Sequence, residues 1–359
     1  MPSPFPLASP PRPPPSASNG RTSSVILVVG SMNLDRIARV ERVPGPGETV
    51  PLQAVDLAAG GKGGNAAAAA ARMGARVAML ARVGEDADGA FLKAALATAG
   101  VDVAAVAETR EAPTGTALIW VEASGENRIG VLAGANATLT PAAVDAQSAP
   151  GRLFETSRLV LLNLEIPLAT VRHAVDRAHA AGCRVLLNLS PVADLPLDRL
   201  GAADAVVVNG PEAAALLGGA PPADLEAALD AARRLVRAGP GTAVVTLGAA
   251  GAAAAAAGTE IARPAVPVQA VDTTGAGDAF LGALAAGLDR GLDLESAVAV
   301  AMAAAAFTVT RPGAQAAQPT RSQLWAWARR RRLGLPPWPA RGDGPAPAGR
   351  GGAPRPRAG

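Results

Sequence analysis

The chain has 359 residues, a single cysteine, no tyrosine and a formal charge of +3. One cysteine (Cys183, in a strand pattern) excludes an internal disulfide and fits a reducing, cytoplasmic setting; with only His173 and His179 beside it, neither a zinc site nor a cysteine–histidine dyad is convincing. Residues 321–359 carry +8 and residues 1–23 carry +2, so residues 24–320 carry −7, an acidic balance that argues against a nucleic-acid groove.

Residues 1–23 are rich in Pro and Ser, lack the apolar core of a signal peptide and read as a disordered extension. Ser24–Gly30 then reads as a buried strand, Gly64–Met73 as a helix, Arg76–Val83 as a strand, Asp88–Ala99 as a helix and Ala117–Val121 as a strand. Leu159–Leu164 is a strand, Leu168–Ala181 a helix, Arg184–Asn188 and Ala205–Asn209 strands, Pro211–Leu217 and Leu225–Ala238 helices, and Ala243–Leu247 a strand. Ile261–Val268 is strand-like, and helices follow over Ala279–Leu288 and from Leu294 to about Val309. The alanine runs Ala66–Ala71 and Ala252–Ala257 reflect a composition bias, as does the near-absence of lysine outside Lys62 and Lys93. Residues 336–359 read as a disordered Pro/Gly/Arg-rich tail, and Arg329–Arg332 as its solvated basic start. No long apolar run suggests a membrane span.

Apolar strands alternating with helices predict an α/β chain, a three-layer α/β/α sandwich around a mostly parallel sheet. Residues 36–58 and 106–135 fit that alternation poorly; Pro44–Val50 and Thr114–Glu122 read as short antiparallel strands of a small β-sheet lid. Ligands of such sheets bind at the carboxyl ends of the strands. Those ends carry Asn33 and Asp35, Asn163 and Glu165, Asn188, Asn209, Thr246 and Gly248, and the last run leads to Asp272 and Asp278. Each alone reads as a turn residue; six clusters at one edge are hard to attribute to turns.

Two glycine-rich segments stand out. Val271-Asp-Thr-Thr-Gly-Ala-Gly-Asp-Ala-Phe280 opens a helix, and small residues at a helix start let N–H groups converge on an anion, aided by the helix dipole. An acid there needs a reason, and a base beside a transferring phosphoryl group is one; a helix-cap Asp278 is the alternative. The dinucleotide pattern fails because Phe280 stands where glycine is required, and no Walker-type phosphate loop occurs, since Gly61-Lys62 is followed by Gly63. Ala59-Gly-Gly-Lys-Gly-Gly-Asn65 precedes another helix; its glycines admit a close ligand and Asn65 offers both donor and acceptor, although an N-cap asparagine explains it equally.

Together Gly60–Asn65 and Asp272–Asp278 resemble the two signatures of the ribokinase-like (PfkB-type) carbohydrate kinase family, and the resemblance spans about residues 24–325. Gly-Glu-Asn-Arg-Ile129, Ala133-Gly-Ala-Asn136 and Thr310-Arg-Pro-Gly-Ala-Gln315 are most similar to its ribose-phosphorylating branch. The resemblance implies one kinase domain over 24–335 that transfers the γ-phosphate of ATP to a sugar hydroxyl, O5 of ribose first, within a ribokinase-like sandwich and a β-lid that pairs two subunits. It implies Asp278 as base, with Gly275, Ala276 and Gly277 as anion hole. Asn33, Asp35, Gly61, Lys62, Asn65 and Glu165 fall at sugar-binding positions, and Asn209, Thr246, Gly248, Gly251 and Gly277 at ATP-binding ones. Asp272, Thr274, Val309 and Gly313 match a site for K⁺ or another monovalent cation, and Glu212 an element that acts indirectly on the Mg²⁺ of ATP. Ala66 stands where glutamine is common, the region after Gly251 offers few contacts for adenine, and Pro211 interrupts the N-x-x-E element at a tolerable position. Another sugar, a sugar acid or a nucleoside stays open as substrate, as does a non-catalytic sugar or nucleotide sensor.

Overall fold

The computed structural model describes residues 25–124, 126–192 and 201–340; the expected N-terminal extension and the tail from residue 341 lie outside them. In chain order the elements are β1 (Val25–Val29), β2 (Asn33–Val40), β3 (Ala54–Gly60), α1 (Lys62–Arg72), β4 (Val77–Gly84), α2 (Ala87–Thr98), β5 (Val101–Asp102) and β6 (Val106–Thr109). Then come β7 (Gly115–Glu122), β8 (Asn127–Leu132), α3 (Pro141–Ser148), α4 (Leu153–Thr156), β9 (Ser157–Leu162), α5 (Leu168–Ala180), β10 (Arg184–Asn188) and β11 (Ala205–Asn209). The rest are α6 (Gly210–Leu217), α7 (Leu225–Arg237), β12 (Thr242–Thr246), β13 (Gly251–Ala256), β14 (Thr259–Pro264), α8 (Ala276–Asp289), α9 (Leu294–Thr308) and α10 (Arg321–Arg330).

The main sheet has the order β14-β13-β12-β11-β10-β9-β1-β4-β5, with β6 also pairing β4. All its pairings are parallel except β12 with β13 and β13 with β14. Strand alternation divides the core into two layers. Ile26 and Val28 of β1 lie in the layer that also holds α1, α8 and α9, whereas Leu27 and Val29 lie in the layer that holds α5 and α7. Buried on both faces, the strands are continuous apolar runs, which made them legible in the sequence.

One segment left unassigned by its composition gains a conformation, and three expectations are corrected. The alanine run at 252–257 is mostly β13, a fully paired strand: Ala252 and Ala254 face one layer, Ala253 and Ala255 the other. Alanine has little strand propensity, so pairing with β12 and β14 and cover on both faces decide the conformation. First, the strand in 261–268 ends at Pro264, and residues 265–270 are irregular, so Asp272 and Asp278 do not follow a parallel strand. Second, Pro44–Val50 is a loop. The lid is a separate sheet, β3-β2-β7-β8, whose central β2–β7 pair is parallel, and β6 belongs to the main sheet. Its inner strand β2 was hidden because Asn33 and Asp35 read as the end of β1. Third, packed chain continues past 335: Trp338 meets Trp325 edge to face at 5.3 Å, and Arg331 lies over the Trp327 ring. Cys183 is buried with its thiol against the Phe154 and Ser157 carbonyls, and the two histidines sit on α5 beside Asp145 and Asp204.

Candidate active site

Two helices begin at the carboxyl edge of the sheet, and the site lies between their starts. Helix α1 begins after Gly61, whose φ of +83° and whose closeness to the Met32–Asn33 backbone leave no room for a Cβ: one added there would lie 2.7 Å from the Asn33 nitrogen. Helix α8 begins after Gly275, at φ +72°, where an added Cβ would lie 2.8 Å from the Ala314 Cβ. Neither helix has a side-chain cap. The N–H groups of Gly277 and Asp278 have no acceptor among the described residues, as the first turn of a helix requires.

Asp278 is not the cap of α8. It lies within the first turn, 7% exposed, and its Oδ2 accepts a 2.8 Å hydrogen bond from Asn65 Nδ2. Asn65 is not a cap either; α1 has already begun at Lys62, and the Asn65 N–H bonds to the Gly61 carbonyl. Helix packing joins the two residues across the sequence. The alanines of α1 lie against α8 in one cluster with Phe280, Leu281 and Leu284, so the run that composition alone explained is a close helix–helix interface. Ala66, fully buried, belongs to that interface.

Around this pair the structure collects Asp35 from the lid strand β2, Glu165 after β9, Lys62 from α1 and Glu212 from α6, all within electrostatic reach of the carboxylates. Glu165 Oε2 accepts from Ser31 Oγ at 2.5 Å and from the Lys62 N–H at 3.0 Å. Asp35 is 8% exposed and its backbone lies in the lid ladders, but its carboxylate has no hydrogen-bond partner among the described residues. Burial, then the charges of Glu165 and Asp278, push its pKa up to about 7. Burial is also the largest influence on Asp278, pushed up to about 6; Lys62 and the Asn65 hydrogen bond pull it down, Glu165 and Glu212 push it up.

The other expected residues fall in four groups. Asn33 is tied down, its Oδ1 accepting from Asn136 Nδ2 at 2.7 Å while Asn136 also grips the Met32 backbone. Asn209 and Glu212 form a reciprocal capping box at the start of α6, each side chain accepting from the other's backbone N–H at 2.8 Å. Thr246 ends β12, with Gly248 in the exposed turn after it and Gly251, at φ +124°, opening β13. Asp272 takes N–H bonds from Thr274 at 2.9 Å and Gly313 at 2.7 Å, and the Val309 carbonyl takes those of Val271 and Asp272. Burial would push Asp272 up, but hydrogen bonds from Thr274 and Gly313 hold it below the ordinary carboxylate range. Sequence reasoning missed Ser31, Asn136 and Gln318 as braces of the site; Asn136 stood inside a segment singled out above, but nothing local marked the partners of the three, which lie more than a hundred residues away.

A buried carboxylate beside open helix N–H groups, ringed by acceptors for hydroxyl donors, can take a proton from an alcohol next to a bound anion. Since Asp35 and Asp278 bind protons more tightly folded than unfolded, where both sit near 3.8, stability falls as pH rises from about 4 to about 7. The Asp35→Asn chain should therefore exceed the parent in unfolding free energy by more than about 1 kcal/mol at pH 8, the difference closing near pH 4. Denaturant titrations at both pH values decide it; equal stability at pH 8 would contradict the buried, unpaired carboxylate.

Known proteins are similar to this chain over most of its length. The family model described as pfkB family carbohydrate kinase matches residues 24–321. The ribokinase of Haemophilus influenzae is 37% identical over 298 residues, 83% of this chain and 96% of that protein. The deoxyribokinase of Salmonella typhimurium is 35% identical over 301 residues, 83% and 96%. The structure of Arabidopsis thaliana ribokinase complexed with ribose and ATP superposes with a TM-score of 0.78 at 31% identity, over 85% of this chain and 98% of that one. With two helix starts meeting at the sheet edge, the lid above them and this extent of similarity, the chain belongs to the pfkB family of carbohydrate kinases.

Proposed function

We propose that the protein phosphorylates D-ribose at O5 with ATP, giving D-ribose 5-phosphate and ADP. The observation that carries this reading is the buried Asp278 carboxylate at the open N-terminus of α8, next to Asn65. Asp278 takes the proton of the 5-hydroxyl as the O5–P bond forms and the bond from the γ-phosphorus to the ADP oxygen breaks. Gly275, Ala276 and Gly277 turn the first-turn N–H groups to the transferring phosphoryl group, where charge must be stabilised. Asp35, Asn65 and Glu165, with Gly61, Lys62 and Asn33, face the sugar. Buried acceptors of this kind reject a compound that cannot donate to them, because they would be left unpaired. The lid excludes water, which would otherwise accept the phosphoryl group.

Asn209, Thr246, Gly248 and Gly251 line the side of the sheet edge assigned to ATP. Magnesium enters with ATP and neutralises phosphate charge when bound; Glu212 suits an indirect, water-mediated contact, since one carboxylate oxygen is committed to the capping box. The oxygen-only set of Asp272, Thr274, Val309 and Gly313 suits a hard monovalent cation such as K⁺, and Asp272 is held ionised. The unit of activity is one kinase domain, expected over 24–335 and continued by the packing of Trp338 on Trp325. No helix among the described residues is long and apolar enough to cross a membrane, and a cytoplasmic enzyme is the reading the single buried cysteine supports.

The direct test is ATP-dependent turnover across ribose, 2-deoxyribose, fructose and nucleosides, with and without K⁺. Ribose should give the highest kcat/KM, and K⁺ should raise it. Turnover of 2-deoxyribose alone would move the substrate while keeping the mechanism; turnover of none, with ribose still binding, would favour a sensor.

We also propose that two lids pair into a homodimer. Val55, Leu57, Leu118 and Leu132 are 52% to 56% exposed on the face of this sheet opposite Asp35, more apolar surface than a small lid leaves to water without use. Sedimentation should show a dimer that the Leu57→Asp, Leu118→Asp double variant converts to monomer; a monomeric parent at micromolar concentration would contradict it.

A further inference from the structure

Asn65 and Asp278 stand 213 residues apart in sequence and touch only through their side chains. Asn65 Nδ2 donates to the Asp278 carboxylate, while Asn65 Oδ1 is buried with no hydrogen-bond partner among the described residues. The amide cannot turn over, since its oxygen would then face a carboxylate. The residue is fixed from behind as well. Its carbonyl accepts from Gln318 Nε2 at 3.0 Å, and the Gln318 carbonyl accepts from Arg72 at 2.7 Å. Gln318 closes the same short segment that brings Ala314 against Gly275, so one stretch of chain braces both ends of the contact.

We propose that Asn65 is a positioning residue for Asp278, its amide N–H holding the carboxylate oriented and ionised for proton removal while its Oδ1 is left for the sugar. This rests on the reading of Asp278 as base. The groups facing Asp278 are Lys62 on α1, Asp35 on β2, Glu165 after β9 and Glu212 on α6. Three carboxylates and burial favour a proton on Asp278, and a single ammonium group opposes them. A hydrogen bond donated to the charged form shifts that balance, whereas a mere sugar contact would not.

The test compares the parent with Asn65→Ala and the nearly isosteric Asn65→Asp. Ionisation of Asp278 is read on the free enzyme by infrared difference titration of its carboxyl band, with Asp278→Asn as blank, and on the working enzyme by the pH profile of kcat with ribose and ATP. In Asn65→Ala the band and the acidic limb should both move up by about one pH unit, with kcat near pH 7 down about tenfold and partly recovered at pH 9. In Asn65→Asp they should move further, because a second carboxylate replaces the donor; that variant carries the test if the alanine chain fails to fold. A higher KM for ribose with band and limb unmoved overturns the proposal and makes Asn65 a plain sugar contact. If the parent turns over no sugar, the kinase reading fails separately. The infrared titration still decides the contact, an upward shift supporting it and an unmoved band overturning it.

Discussion

The structure turns on one carboxylate held away from water. Asp278 sits inside the first turn of α8, where the helix end offers positive potential and unpaired N–H groups, but it is buried, with other carboxylates in reach and one amide donor against it. A charged group in that position is costly unless its surroundings answer it. Helix α1 supplies the answer by starting beside α8, which brings Asn65 and Lys62; the end of β9 and the fold of the lid bring Glu165 and Asp35, acceptors for a ligand's hydroxyls that oppose the charge on Asp278.

Those demands explain features that look like composition. Helices can bring their N-termini this close only with small side chains between them, and the alanines of α1 meet α8 there. The turns before both helices need glycine for different reasons: Gly61 because the backbone of residues 32–33 passes over it, Gly275 because Ala314 does. Asp272, bonded to Thr274 and Gly313, ties the two loops at the head of α8 together whatever else it holds.

Strand and helix order was legible because a sheet buried on both faces writes continuous apolar runs, and the glycine segments marked both helix starts. Three things were not. The all-alanine β13 has no local signal, and only its neighbours make it a strand. The parallel β2–β7 pair joins residues about eighty positions apart, which periodicity cannot reveal. The braces of the site, Ser31 on Glu165, Asn136 on Asn33 and Gln318 on Asn65, are long-range pairs of ordinary polar residues. Motifs exposed the residues that a ligand would meet; the residues that hold them became visible only in three dimensions.

The most direct measurement is turnover together with sugar affinity for Asp278→Asn, which keeps the shape of the buried group and removes its basicity. The account predicts a fall in kcat of at least about a hundredfold, the lower end for loss of a general base, with ribose affinity within a few-fold of the parent. More than about a hundredth of the parent rate, or loss of sugar binding with kcat intact, would contradict it.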